Sequence, residues 1–255
     1  MKIVPLSAFS DNYIWILIEG NRCVVVDPGE SAPVEDFLAE YGLTLDAILI
    51  THHHADHIGG LPALARRYAP RVIGPDDPRI PGLSQSVGDQ DRITLELGQR
   101  TLHFEVFAVP GHTLSHIAYF GEGLLLCGDT LFSAGCGRLF EGSPAQMHAS
   151  LKRLGALPDD TQVCCAHEYT LSNLRFAQTV EPDNPAIVER IAQCKALRAA
   201  GAPTLPSSIA LEHQTNPFLR CAESVVQASA AKHARRVSTD EVETFAILRE
   251  WKNVF

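Results

Sequence analysis

Thr51-His52-His53-His54-Ala55-Asp56-His57 follows directly on the apolar run Ala47-Ile48-Leu49-Ile50 and sets four potential metal ligands within six residues. A short apolar run of this kind reads as a buried strand, and loops at the C-terminal ends of such strands are where α/β folds carry their ligands. In extended chain, side chains two apart point the same way, which predicts His52, His54 and Asp56 on one face and turns His53 away. His57 comes next, where Ile58-Gly59-Gly60-Leu61 predicts a turn into a helix. Imidazole and carboxylate without thiolate suit zinc, iron or manganese.

Three further stretches repeat one arrangement, an apolar strand, a small residue and then a single ligand. They are Phe107-Ala-Val-Pro-Gly-His112, Leu124-Leu-Leu-Cys-Gly-Asp129 and Val163-Cys-Cys-Ala-His167. The ligand set then holds five His and two Asp, more than a single zinc takes. Two ions about 3.5–4 Å apart accommodate it. His52, His54 and His112 go to one ion and Asp56, His57 and His167 to the other. Asp129 bridges, because a carboxylate has two oxygens to share. Asp56 and Asp129 are thus the carboxylates expected to serve catalysis. Asp27, ending a strand before Pro28-Gly29, and His116, near His112, are expected to orient ligands rather than bind metal. His103, His148, His213 and His233 stand outside the set.

Composition narrows the class of partner. A net charge of −9 over 255 residues argues against a nucleic-acid surface. No apolar run has the length of a membrane span, and Ser10-Asp11-Asn12 interrupts any leader-like segment. Seven cysteines with no CxxC spacing point to reduced thiols in the cytoplasm, with Cys136 packed rather than reactive.

The pattern divides the chain near residue 168. Strands are expected at Lys2–Leu6, Tyr13–Glu19, Arg22–Asp27, Ala47–Ile50, Arg71–Gly74, Arg92–Leu97, Thr101–Val109, Ile117–Phe120, Leu124–Cys127 and Gln162–Cys165. Helices are expected at Ala32–Tyr41, Leu61–Tyr68 and Pro144–Leu154, and Pro75 through Asp91 reads as irregular loop. Beyond Tyr169 only helical periodicity appears, at Leu171–Thr179, Pro185–Ala200 and Thr239–Trp251. Residues 1–168 therefore read as a β-rich metal-binding catalytic domain and 169–255 as a helical one.

His52-x-His54-x-Asp56-His57 with Gly-His112, Gly-Asp129 and His167 resembles the metallo-β-lactamase superfamily. That resemblance implies an α+β fold, a four-layer αββα sandwich with metals at the sheet edges. Over nearly its whole length the chain more narrowly resembles glyoxalase II, the hydroxyacylglutathione hydrolases. The resemblance is carried by Asp11-Asn12-Tyr13-Ile14-Trp15, Gly128-Asp129-Thr130-Leu131-Phe132, Gly135-Cys136-Gly137-Arg138, Ala166-His167-Glu168-Tyr169-Thr170, Asn173-Leu174, Asn216-Pro217-Phe218-Leu219-Arg220 and Arg249…Lys252-Asn253…Phe255.

It implies hydrolysis of an S-2-hydroxyacylglutathione, typically S-D-lactoylglutathione, by a hydroxide bridging two divalent ions, zinc first and iron or manganese as alternatives. Glutathione and D-lactate would be the products, and the reaction would be the second step of methylglyoxal detoxification. Carried over, Arg138, Tyr169, Arg249 and Lys252 hold glutathione, with the helical domain contributing to its binding. Two departures stand out: Arg138 where some members have Lys, and Phe140 where some have Tyr, at the loss of one hydrogen bond. The small thioester is the expected partner of a cytoplasmic monomer, with neither nucleic acid nor membrane. The competing readings are a one-iron persulfide dioxygenase, another hydrolase of the same fold (a lactonase, lactamase or nuclease), and a non-catalytic zinc protein.

Overall fold

Strands β1 (Lys2–Ala8), β2 (Asn12–Glu19) and β3 (Arg22–Val26) open the chain, followed by α1 (Ala32–Tyr41), β4 (Thr44–Leu49), α2 (Ala55–Ile58), α3 (Leu61–Tyr68), β5 (Arg71–Pro75) and β6 (Gln85–Val87). A second run holds β7 (Arg92–Leu97), β8 (Arg100–Ala108), β9 (Ile117–Gly121), β10 (Leu124–Gly128), β11 (Leu131–Phe132) and β12 (Gly135–Cys136). Then come α4 (Pro144–Gly155), β13 (Gln162–Cys165), α5 (Thr170–Val180), α6 (Pro185–Ala199), β14 (Ser207–Ser208), α7 (Ile209–Thr215), α8 (Ser224–Ala234) and α9 (Glu241–Val254). The structure, a computed structural model, describes residues 1–255.

The chain forms two compact units, Met1–Ala108 with Ser115–Gly128, and Val109–Leu114 with Asp129–Phe255. In the first, β1 to β6 form one sheet in sequence order, and β10-β9-β8-β7 run side by side in the other. Strands β1, β2 and β3 are antiparallel, whereas β3-β4, β4-β5 and β5-β6 pair in parallel. Helices α1 and α3 cover the first sheet, with Val34, Leu38, Leu61 and Leu64 packed on Ile14, Ile16, Val25, Ile48 and Val72. Burial on this scale, about 25 cal/mol per Å² of apolar surface, is what holds the layers. Tyr119 on β9 donates its hydroxyl to the carbonyls of Ile50 (2.9 Å) and Ile73 (3.2 Å), joining the sheets just before the histidine stretch. Strand β7 alternates exposed and buried residues, as a half-buried edge strand should.

The second unit is mostly helical. Its helix starts are set by Ser143 with Gln146 in a capping box, by Asn184 and by Asp240. Phe176, Phe218 and Phe245 pack in its core, and Trp251 and the exposed Phe255 lie edge-on to Phe176.

The sequence reading places α1 and α3 at their observed bounds, and Gly42 ends α1 in the left-handed region at φ 61°. Ser31 stands at the N-cap of α1 but makes no side-chain cap bond. Three corrections follow. The expected loop 75–91 contains β6, a three-residue parallel strand too short to show a period. Helices α7 and α8 were absent from the expected set. The first is only seven residues long, and the second, Ser-Val-Val-Gln-Ala-Ser-Ala-Ala-Lys-His-Ala, alternates too weakly to define a face. Finally, Asp56 lies on α2 rather than on extended chain, so the two-residue alternation applies to His52 and His54 but does not aim Asp56.

Candidate metal centre

Strand β4 ends at Leu49 and delivers Thr51 and His52, both fully buried. Asp27, just past β3, sits alongside them. Its carboxylate accepts the Thr51 amide (2.8 Å) and the Thr51 hydroxyl (2.7 Å), and lies 3.1 Å from His57 Nδ1. With Nδ1 of His57 committed to Asp27, Nε2 is the nitrogen left to ligate a metal. His52 is oriented in the same manner, with Nδ1 3.1 Å from Thr51 Oγ1 and its ring stacked on buried His116 at 4.5 Å. His116 in turn bonds through Nδ1 to the Ile117 carbonyl at 3.0 Å. Asp27, His52 and His57 form a compact group of donor atoms. His53 turns elsewhere, with Nδ1 3.6 Å from Asp77.

The single turn of α2 brings Asp56 Oδ2 to 3.5 Å from His57 Nε2. Asn12, at the start of β2, donates to the same Asp56 oxygen at 3.1 Å. Asn12 stands in the Asp11–Trp15 stretch that resembles the family, with no role expected of it from sequence. A buried Asn opening an apolar strand is the signal that marks it. Close approach is also required at Gly29, where an added Cβ would lie 1.9 Å from the Asp56 carbonyl oxygen.

The second unit arranges its three residues around one carboxylate. Asp129 Oδ2 is 3.5 Å from His112 Nε2, and Oδ1 is 3.2 Å from His167 Nε2. Two ligands on one tetrahedral ion, each about 2.0–2.2 Å from it, stand about 3.3–3.6 Å apart, and the spacings here lie in or close to that range. One oxygen faces each imidazole. His112 Nδ1 bonds the Arg138 carbonyl at 2.8 Å, again leaving Nε2 as the ligand atom. The donor chemistry is therefore right throughout: oriented imidazoles and carboxylates, no thiolate, all suited to divalent ions.

Residues expected to hold the substrate occupy varied settings. Arg138 is exposed. Phe140 is 64 % exposed, its ring edge-on to His112 at 5.2 Å. Tyr169 stacks on His167 at 4.7 Å. Arg249 is buried, its Nη1 donating to the Cys136 carbonyl (2.8 Å) with its guanidinium over the Phe218 ring. Lys252 is half-buried between the Phe176 and Phe255 rings. Its pKa is pulled down to about 8, chiefly by burial and then by Arg249, Arg175 and Arg138. All seven cysteines are buried and free, and burial pushes the Cys136 thiol up, as a packed residue requires.

Oriented His/Asp ligands at strand ends define a class, and the comparisons agree with it. The family model described as Metallo-beta-lactamase superfamily matches residues 9–167, and that described as Hydroxyacylglutathione hydrolase C-terminus matches 168–255. The crystal structure of ETHE1 from Myxococcus xanthus superposes with a TM-score of 0.68 at 26 % identity, covering 98 % of this chain and 91 % of that one. The BLEG-1 B3 metallo-beta-lactamase superposes at 0.62 and 24 % identity, over 86 % of this chain and 98 % of its own, a likeness of fold alone. The fold is thus the metallo-β-lactamase fold with a helical C-terminal addition, and its His/Asp cluster is a divalent-metal site.

Hydroxyacylglutathione hydrolases from Aeromonas hydrophila and Chromohalobacter salexigens are 54 % and 53 % identical to this chain. The first match covers 99 % of each sequence and the second 100 %. The chain belongs to the hydroxyacylglutathione hydrolase family, glyoxalase II.

Proposed function

We propose that this protein hydrolyses the thioester of S-2-hydroxyacylglutathiones, S-D-lactoylglutathione in the first place. It releases glutathione and the 2-hydroxy acid, the second step of methylglyoxal detoxification. The observation that carries the reading is the end-to-end similarity to hydroxyacylglutathione hydrolases, which includes the helical addition as well as the metal half. His52, His54 and His112 would hold one ion, Asp56, His57 and His167 the other, and Asp129 would be shared, with zinc the favoured metal. When bound there, divalent ions would lower the pKa of coordinated water from about 15.7 toward 7 and would polarise the thioester carbonyl.

The chain's own task is to keep those ligands in place. Asp27 and the Arg138 carbonyl fix the tautomers of His57 and His112, and Asn12 holds Asp56. A thiol leaving group has a pKa of about 8.5, so expulsion as thiolate needs no strong general acid. Residues 1–168 supply the catalytic part and 169–255 the helices that contribute to glutathione binding.

Arg138, Tyr169, Arg249 and Lys252 are assigned to glutathione, with Phe140 beside them. Arg and Lys suit its two carboxylates. No helix is long and apolar enough to cross a membrane. Free, buried cysteines accord with a reducing compartment, and we read the protein as a cytoplasmic monomer.

Metal analysis of the purified protein paired with S-D-lactoylglutathione hydrolysis tests the function. Fully metallated protein that leaves the thioester intact overturns it. Two smaller outcomes are expected. Phe140→Tyr restores a hydroxyl worth about 0.5–1.5 kcal/mol and should lower KM by about 2–10-fold; an unchanged KM removes Phe140 from the subsite. Lys252 is charged below its pKa and neutral above it, so attraction for a glutathione carboxylate is present at neutral pH and lost as pH rises through about 8. KM should climb over that interval, and Lys252→Arg, which stays protonated, should flatten the climb. The same rise in Lys252→Arg would assign the titration to another group.

A further inference from the structure

The turn between β11 and β12 is buried in the helical core of its own unit. Leu131 pairs with Cys136 and Phe132 with Gly135, leaving Ser133 and Ala134 as a two-residue turn. Ala134 packs with Leu174, Ala177, Ile187 and Cys194 of α5 and α6. It lies at φ 55°, a left-handed conformation that costs a non-glycine residue about 1–2 kcal/mol. Something must hold the turn there.

Three side chains from far along the sequence do so. Asn173 Nδ2 donates to the Ser133 carbonyl at 3.0 Å. Asn216 Nδ2 donates to the carbonyls of Phe132 (3.2 Å) and Gly135 (2.9 Å). The Ala134 amide donates to Glu212 Oε2 at 2.7 Å, and Asn216 Nδ2 donates to that oxygen at 3.0 Å. The other Glu212 oxygen accepts the Ser207 hydroxyl. Glu212 is fully buried, and burial pushes its carboxyl up. A carboxylate there costs several kcal/mol of desolvation, yet an apolar residue of that size would leave the Ala134 amide without an acceptor.

The two roots of the hairpin bear on the metal centre. Asp129 and Thr130 lead directly into β11, and the Gly137 amide donates to the Thr130 carbonyl at 3.2 Å, closing the base. The next carbonyl, that of Arg138, is the one that fixes His112 Nδ1. We propose that Asn173, Glu212 and Asn216 are positioning residues for the metal centre: by gripping the hairpin tip they set Asp129 at one root and the His112 imidazole at the other. The inference rests on the assignment of Asp129 and His112 as ligands.

Full-length, zinc-loaded protein tests it, with the rate of metal release to a chromophoric chelator read without substrate and kcat read on S-D-lactoylglutathione. Asn216→Ala and, more mildly, Asn173→Ala should release metal about 10–100-fold faster, the usual cost of losing a group that orients a ligand, and kcat should fall with it. Glu212→Gln keeps an oxygen for the Ala134 amide and should stay near the wild type. Val226→Ala, a buried change on α8, should lower the melting temperature without speeding metal release. Wild-type release from both Asn variants overturns the proposal, as does release from Val226→Ala as fast as theirs. Should Asn216→Ala fail to fold, Asn173→Ala decides. Asp129→Ala measured alongside separates the failures. If it keeps its metal, the ligand assignment falls; if it loses metal while the Asn variants do not, the positioning role alone falls.

Discussion

Asp129→Ala is expected to abolish turnover and to strip metal from the protein. The carboxylate has one oxygen 3.5 Å from His112 Nε2 and the other 3.2 Å from His167 Nε2, so under the proposed two-ion assignment alanine would remove a ligand from both ions at once. It also removes the negative charge that offsets them at a site only 7 % exposed. A loss in kcat of at least about 10²–10³-fold is expected, the range for removing one preorganised electrostatic group. Metal content measured after gel filtration should fall below that of the wild type. Asp129→Asn keeps one good acceptor oxygen, so it should retain metal on one side better than on the other and recover part of the content without the rate. Full activity with both ions retained in Asp129→Ala would refute the bridging role.

The sequence was most informative where chemistry is written in local order. His52, His54, Asp56 and His57 are readable because they fall together after an apolar strand. Asp56 was placed by the wrong geometry, since alternation describes extended chain and α2 begins at Ala55. His112, Asp129 and His167 are readable because each follows a strand and a small residue. What orients them is another matter. Asp27 meets His57 across 30 positions, and the Arg138 carbonyl meets His112 across 26. A main-chain carbonyl carries no sequence signal at all.

The grip on the hairpin is more distant still, with Asn173, Glu212 and Asn216 lying 40 to 84 positions from the groups they bind. Asn216 could be quoted as part of a family stretch, but its role depends on where α7 ends, and α7 itself was not legible. Arg249 illustrates the limit. Without the family resemblance a cation near a helical C-terminus reads as a solvated face, whereas packing buries Arg249 against Phe218 and engages it on the Cys136 carbonyl. Such a position acts on the same hairpin as Asn216, through a main-chain carbonyl.

The second large effect is expected at Asp27, and there alanine and asparagine should fail for different reasons. Alanine leaves the Thr51 amide, the Thr51 hydroxyl and His57 Nδ1 without their buried acceptor, at about 1–3 kcal/mol for each stranded group. Both stability and metal affinity should drop. Asparagine tolerates the left-handed backbone at φ 51° as aspartate does. Its oxygen can still take the Thr51 amide, so the metal-free protein should melt close to the wild type. Its Nδ2, however, then faces His57 Nδ1 as a donor and drives the imidazole proton onto Nε2, the nitrogen needed for the metal. Asp27→Asn should therefore weaken metal binding by about 10–100-fold with little change in metal-free stability, measured by chelator competition beside thermal melting. Wild-type metal affinity in Asp27→Asn would mean that Asp27 serves only the Thr51 backbone and that the His57 tautomer is fixed by the metal itself.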